Sequence, residues 1–264
     1  MLSACLLAFM GTGARAQTVT GKDSVISATR KPLLQPVKKP KPVTRELSAG
    51  LRLNTDGWTF FVESGKVKTN NLKKIDMFHD VRILQFEFSE KKHPKEMKIY
   101  GIAGGQTSDK TFIYGKINSF YALKFNYGMQ KMITGKPLLN CVSVHLVYAG
   151  GLALGMLKPY YLETSDLGTI KYTDATKNEF LNPATIIGKA GFSEGMGEIK
   201  FVPGIHLKTG LHFDFSRDKF LLAAVEVGAT GEFYSQKIEM MANQKATPYL
   251  FNLYAGVQFG KRRR

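Results

Sequence analysis

Gly191-Phe192-Ser193-Glu194-Gly195 has the spacing of a nucleophile elbow, in which a serine is held on a strained turn between a strand and a helix. That chemistry also needs a histidine base within reach of the hydroxyl. The pentapeptide here lies in a glycine-rich stretch between Gly188 and Gly197, no helical period follows it, and the sequence places no histidine beside it. The match is read as chance, and the chain as a non-enzyme with no catalytic residue. His206 and His212 lie six residues apart on a segment of alternating polarity, about 20 Å at the usual strand rise. One ion does not bridge that distance, so neither a metal site nor any other cofactor is expected. His93 stands among Lys91, Lys92, Lys95 and Lys98, a setting that favours phosphate or carboxylate over a cation.

The remaining polar candidates are explained by the elements that carry them. Residues on a strand alternate between two faces. In IHLKTGLHFDF, His206, Lys208, His212 and Asp214 share one face, and Ile205, Leu207, Leu211 and Phe213 share the other. Lys124 opposes Tyr121, Leu123, Phe125 and Tyr127; His145 opposes Val144, Leu146 and Tyr148. Glu226 and Glu232 are placed on the same polar face. Together Lys124, His145, His206, Lys208, His212, Asp214, Glu226 and Glu232 are expected to form a hydrogen-bonded network inside a closed sheet. Lys208 is expected opposite Glu226 across the tight turn Ser216–Lys219, since their parity agrees.

Eight strands are expected: Glu46–Asn54, Gly57–Ser64, Asp80–Ser89, Ile117–Met129, Cys141–Leu157, Gly204–Phe215, Leu221–Tyr234 and Tyr249–Phe259. Asp56-Gly57 marks a hairpin between the first two. A count of ten follows if Lys98–Ala103 and Thr111–Lys116 join the sheet. Large aromatics face the apolar side near the expected strand ends, at Tyr121, Tyr127, Phe215 and Tyr249, where the girdles of a membrane barrel sit. The expected fold is therefore all-β, an antiparallel up-and-down transmembrane β-barrel of about eight strands over 46–264. Average hydropathy does not reveal it, because only alternate residues would face lipid; the apolar fraction is an ordinary 44%.

The compartment follows from the other end of the chain. Leu6 to Met10 are apolar and Ala14-Arg15-Ala16 suits a signal peptidase, so 1–16 is expected to be a signal peptide, although no Lys or Arg precedes the apolar run. Leu2-Ser3-Ala4-Cys5 has the look of a lipoprotein box, but the apolar run follows Cys5 instead of preceding it. Cleavage after Ala16 leaves Cys141 alone, which excludes a disulfide-stapled domain. Residues 17–45 repeat Lys-Pro and Gln-Pro without an apolar period and are expected to be a flexible periplasmic linker. A net charge of +16 calls for anionic neighbours. In an exported chain these are glycolipid phosphates or anionic phospholipid headgroups, not nucleic acid.

From Glu46 onward the chain resembles the outer-membrane β-barrel proteins of Bacteroidota, the porin-like and OmpA-like barrels. The stretches that carry the resemblance are ELSAGLRLNTDGW, FSEKKHPKE, YGKINSFYALKFNYG, YAGGLALGMLKPYYLE, GEIKFVPGIHLKTGLHFDF and YLFNLYAGVQFGKRRR. The resemblance implies an integral outer-membrane protein and no particular reaction. It also implies that the closing segment, with Tyr249, Phe251 and Phe259 alternating, is the signal read by the barrel-assembly machinery. An even strand number puts both termini on one side, in the periplasm. The connections near Glu90–Lys116 and Lys158–Pro203 would then be outer loops. In the second, Tyr160, Tyr161 and Phe192 are expected to contact an envelope protein partner, because tyrosines suit contact surfaces and connections of this length are usually functional. A structural or accessory role in an envelope complex is the first functional expectation. A small channel and a lipid-modifying enzyme acting through Ser193 are the rivals.

Overall fold

Alternating segments make sheets, and in the computed structural model the main sheet closes on itself. Residues 43–68, 80–135, 141–218, 220–242 and 244–263 are described. The expected signal peptide and nearly all of the expected linker lie outside them, as does Lys219 of the expected turn. The elements in chain order are β1 Arg45–Asn54, β2 Gly57–Lys68, β3 Asp80–Lys91, β4 Lys98–Ala103, β5 Gln106–Ile113, β6 Asn118–Thr134 and β7 Ser143–Pro159. They continue with β8 Tyr161–Thr164, β9 Gly168–Lys171, helix α1 Lys177–Phe180, β10 Ile186–Lys189, a 3-10 turn Met196–Glu198, β11 Lys200–Asp214, β12 Leu221–Ile238 and β13 Thr247–Arg263.

Eight antiparallel strands form the barrel in the order β1-β13-β12-β11-β7-β6-β3-β2. Each matches an expected strand, with ends that differ by a few residues. The ten-stranded alternative is overturned. β4 and β5 pair with each other, from Lys98↔Ile113 to Ala103↔Gln106, as a separate two-stranded sheet. The second arm begins at Gln106 and not at Thr111, because Gly104 and Gly105, both at positive φ, set the turn.

Closure fixes the geometry. From Arg45 the register runs through Lys66, Arg82, Met129, Tyr148, Thr209, Ala229 and Leu253. The Leu253 carbonyl meets the amide of Thr55, so one circuit climbs 55 − 45 = 10 residues along β1. For eight strands this corresponds to a tilt of about 40° and an interior that side chains fill. Arg45 pairs with Arg263, so β1 begins and β13 ends at the same rim.

The polarity of this barrel is inverted relative to one that folds in water. Leu53, Leu152 and Phe251 point outward and are 74%, 70% and 71% exposed, whereas Glu63, Glu87 and Lys91 point inward and are 0%, 1% and 1% exposed. On β13 the outward residues from Phe259 to Tyr249 are all apolar. With the strand rise and tilt this gives a belt roughly 25 Å tall. Tyr121 and Tyr249 lie near strand ends and Phe215 just beyond one, as expected. Tyr127 does not: β6 runs on to Thr134, which leaves Tyr127 in mid-strand.

Apolar residues do enter the lumen, and apart from Phe61 and Tyr254 they gather toward its two ends. Val67, Val81, Ile83, Val147 and Ala149 pack with Val43 toward the rim where the chain ends emerge. Phe120, Ala122, Leu157, Val202, Tyr234 and Ile238 pack toward the other.

The Thr55-Asp56 turn between β1 and β2 tests how tightly the wall is built. Gly57 follows it at φ 153°, and a Cβ there would lie 2.1 Å from the Glu90 carbonyl oxygen on β3. Gly57→Ala is expected to destabilise the barrel by about 2 kcal/mol or more, through strain and a backbone clash together. Gly104→Ala, also at positive φ but in open space, bears the strain alone, about 1 kcal/mol. Urea titration in lipid vesicles, read on the gel shift between folded and unfolded forms, should rank them in that order.

Candidate functional site

Two regions concentrate the polar chemistry: the middle of the lumen, and a cap built from the two long connections.

The lumen holds an alternating set of cations and anions. Arg52 donates to Glu87 at 2.6 Å and lies 3.4 Å from Glu226. Its guanidinium stacks 3.9 Å from the Phe61 ring centroid and 5.2 Å from that of Tyr254. Gly50 makes room for this arrangement, since a Cβ there would come within 2.5 Å of the Phe61 ring. Lys208 donates to Gln85 at 2.9 Å and to Glu226 at 3.1 Å, and the Tyr254 hydroxyl donates to Glu226 at 2.8 Å. Lys124 lies 2.8 Å from Glu232 and 3.5 Å from Glu87; Lys91 bridges Glu232 at 3.1 Å and Asp56 at 3.0 Å. Glu63 is bound by three amides, from Gln85, Gln130 and Gln258. In a low-dielectric surround each carboxylate needs such partners, because a buried unpaired charge is strongly unfavourable.

All eight residues expected in the lumen are buried there. Lys124, Lys208, Glu226 and Glu232 sit at the centre of the ion pairs. His206 shares a 2.8 Å hydrogen bond with Asn126, and the His145 and His212 rings meet edge to face at 5.9 Å. Asp214 stands apart at the rim, 2.6 Å from Arg262, which also reaches Glu46 at 3.1 Å. The register differs from expectation. Thr230 lies opposite Lys208, and His212 lies opposite Glu226. Lys208 still reaches Glu226, because its long side chain spans the offset diagonally. Arg52, Glu63, Glu87, Lys91 and Arg262 escaped the sequence analysis. The signal was available: in ELSAGLRLN, Glu46, Ser48 and Arg52 alternate with Leu47, Leu51 and Leu53. No group of metal-ligating residues occurs among the described residues.

The cap is not a pair of open loops. β8 pairs with β9 and with β10 in a three-stranded sheet. That sheet packs on the β4–β5 hairpin through Phe112, Tyr160, Leu162, Ile170, Phe180 and Ile186. The two connections approach closely: a Cβ on Gly101 would lie 1.8 Å from the Ile187 carbonyl oxygen. Tyr160, expected at the contact surface, is instead 4% exposed in this small core. Its hydroxyl accepts from the Ile113 amide at 3.2 Å, and burial pushes its phenol above the usual range. Its ring joins Phe112 of β5 and Leu162 of β8 in the cap core, and burying it there contributes more to folding than leaving it exposed. Tyr161 is half-buried and Phe192 exposed. The Phe192 ring rests 3.8 Å from the Lys158 ammonium, which also donates to the Phe192 carbonyl. Ser193 follows β10, but only the three-residue 3-10 turn comes after it. Among the described residues no base contacts its hydroxyl, so the elbow geometry is not met.

No protein-family model and no curated protein matches the chain. Among solved structures it is similar to the N-terminal β-barrel domain of OprF from Pseudomonas aeruginosa, at 10% identity and a TM-score of 0.34, covering 84% of this chain and 98% of that one. It is similar also to Ail, the attachment invasion locus protein of Yersinia pestis, at 9% identity and a TM-score of 0.36, covering 84% and 100%.

Two outcomes are expected from this geometry. Glu226→Gln leaves Lys208 and Arg52 facing one another with a carboxylate lost, and should destabilise the barrel by about 3–5 kcal/mol. The double variant Lys208→Met/Glu226→Gln should be more stable than that single variant, as read from urea midpoints in vesicles. Tyr160→Ala should open the cap without opening the barrel. Removal of a buried aromatic is worth about 3–5 kcal/mol, so trypsin should cut within 161–199 while the barrel keeps its heat-dependent gel mobility.

Proposed function

We propose that the protein is an integral outer-membrane β-barrel without enzymatic activity, which spans the bilayer with a filled lumen and presents its cap to an envelope partner. The observation that carries this reading is the inverted polarity. An apolar belt covers the outside of all eight strands, far beyond the few hundred Å² that a soluble monomer exposes. A closed sheet is one of the two structures that leave no backbone group unpaired in lipid. An outer membrane is the natural site for such a barrel, and the expected leader agrees with it. Both chain ends then lie in the periplasm and the cap lies outside.

The cap suits a contact role. It has its own core, so its surface is held in place, and it displays Met97, Tyr100, Phe192 and Met196, all more than half exposed. Lys158, Tyr161, Lys189 and Phe192 line one shallow crevice on it. The crossed ion pairs of the lumen argue against a conducting pore, and the surroundings of Ser193 argue against hydrolysis.

The protein should remain in the membrane after carbonate extraction and migrate differently with and without boiling. Recovery from the soluble periplasm would end the proposal. In planar bilayers its conductance should match that of bare lipid. Tyr161→Ser/Phe192→Ser alters the surface and spares the cap core. It should leave a heat-modifiable barrel and remove a partner that co-purifies with the unaltered protein in mild detergent; unchanged co-purification would move the contact elsewhere.

A further inference from the structure

The rim where the chain ends emerge carries an arrangement that the barrel itself does not explain. Arg263, Arg45, Lys66 and Arg82 occupy successive strands β13, β1, β2 and β3, and each is directly opposite the next in the register. All four point outward and are exposed. Like charges facing one another across a ladder are destabilising, and here the juxtaposition is repeated three times in a row. Among the described residues no carboxylate pairs with any of the four, whereas their inward-facing neighbour Arg262 holds both Glu46 and Asp214. Lys68 and Lys131 extend the patch on the same outer face. Asp80 stands opposite Lys68, and one of its oxygens accepts from the Met132 amide.

The patch is one-sided. At the same rim the strands of the far wall, β7, β11 and β12, carry Val144, Phe215 and Leu221; the exposed Arg217 there has Asp218 beside it, and Lys261 on β13, opposite Leu221, marks the edge of the patch. It also has shape. Arg45, Ser64, Lys66, Arg82, Leu84 and Tyr127 surround an open groove of about 430 Å³ on the outer wall. The cations stand at its lower edge and Leu84 and Tyr127 lie toward the belt. A ligand that fits must bring negative charge at headgroup level and an apolar body running up the wall.

We propose that this groove is a binding site for an anionic phospholipid of the leaflet at the terminus rim, with the phosphodiester held by Arg45, Lys66 and Arg82 and an acyl chain laid over Leu84 and Tyr127. The inference rests on the membrane reading above. Arginine suits the phosphate because its planar fork donates to two oxygens together. The lipid charge relieves the repulsion along the row, and the row gives the barrel a preferred lipid neighbour on that wall.

The test uses the full folded protein in vesicles of equal phosphatidylglycerol and phosphatidylcholine, extracted gently and weighed with its bound lipids by native mass spectrometry. Phosphatidylglycerol should be retained over phosphatidylcholine by about tenfold or more. Arg45→Gln/Lys66→Gln/Arg82→Gln should bring the two lipids to parity. Lys92→Gln/Lys98→Gln/Lys177→Gln, which removes the same charge from the opposite end, should keep the preference. Retention unchanged in the first triple variant overturns the site, and so does displacement of the lipid by millimolar inorganic phosphate, which would mark a free-anion site. If the triple variant does not fold, the unaltered protein decides: its preference should weaken as salt is raised, and parity at low salt overturns the site. A protein that folds and inserts without lipid preference refutes this inference alone; one that never enters vesicles refutes the membrane reading and this inference with it.

Discussion

The pairing of β1 with β13 is the constraint on which the rest of this molecule depends. It removes the two edges that an eight-stranded sheet would otherwise expose and turns face into side: every residue is committed either to the lumen or to the outer wall. A circuit that climbs ten residues sets the bore, and a bore of this width is filled by side chains from opposite walls. Arg52 from β1 therefore meets Glu87 from β3 and Glu226 from β12. The charged lumen is a consequence of closure. Some of its ion pairs, Arg52–Glu87 and Lys124–Glu232 among them, tie together strands that share no backbone hydrogen bond, and they do so where water is excluded and each charge needs a partner.

The same commitment explains why the polar interior and the apolar exterior have separate tasks. The exterior needs only apolar bulk, and its residues vary among Leu, Val, Phe and Tyr with no fixed partner. The interior needs matched geometry. Glu63 is surrounded by three glutamine or amide donors, and Glu232 by Lys91, Lys124 and Tyr234. Apolar clusters close the two ends. A lumen so occupied is a structural core built of polar groups, and the contacts proposed above lie on the surface beyond it.

That surface divides into two kinds. The cap is a folded piece with its own small apolar core, assembled from connections far apart in the chain, and it offers shaped protein surface. The opposite rim offers charge on one wall.

Much of the barrel is legible in the sequence because the strand period is two and one face of every strand is uniform. IHLKTGLHFDF and YLFNLYAGVQF declare their two faces residue by residue, and Asp56-Gly57 declares its turn. The inward placement of Lys124, His206, Lys208 and Glu226 follows from parity alone. What parity leaves open is offset. Lys208 faces Thr230 and not Glu226, because the connection from β11 to β12 is longer than a tight turn: its last strand pair is Asp214 with Ala224, which displaces the whole register. Tyr160, expected at the contact surface, is buried for a related reason. Its burial depends on Phe112 and Ile186, which approach it only when two distant connections fold together, and no periodicity along the chain records that meeting. The sequence by itself determined the long strands and their two faces, since these are local consequences of alternation. The tertiary structure alone decided which charges meet, which tyrosine is hidden and which cations line up on one wall, since each depends on register accumulated around the whole barrel.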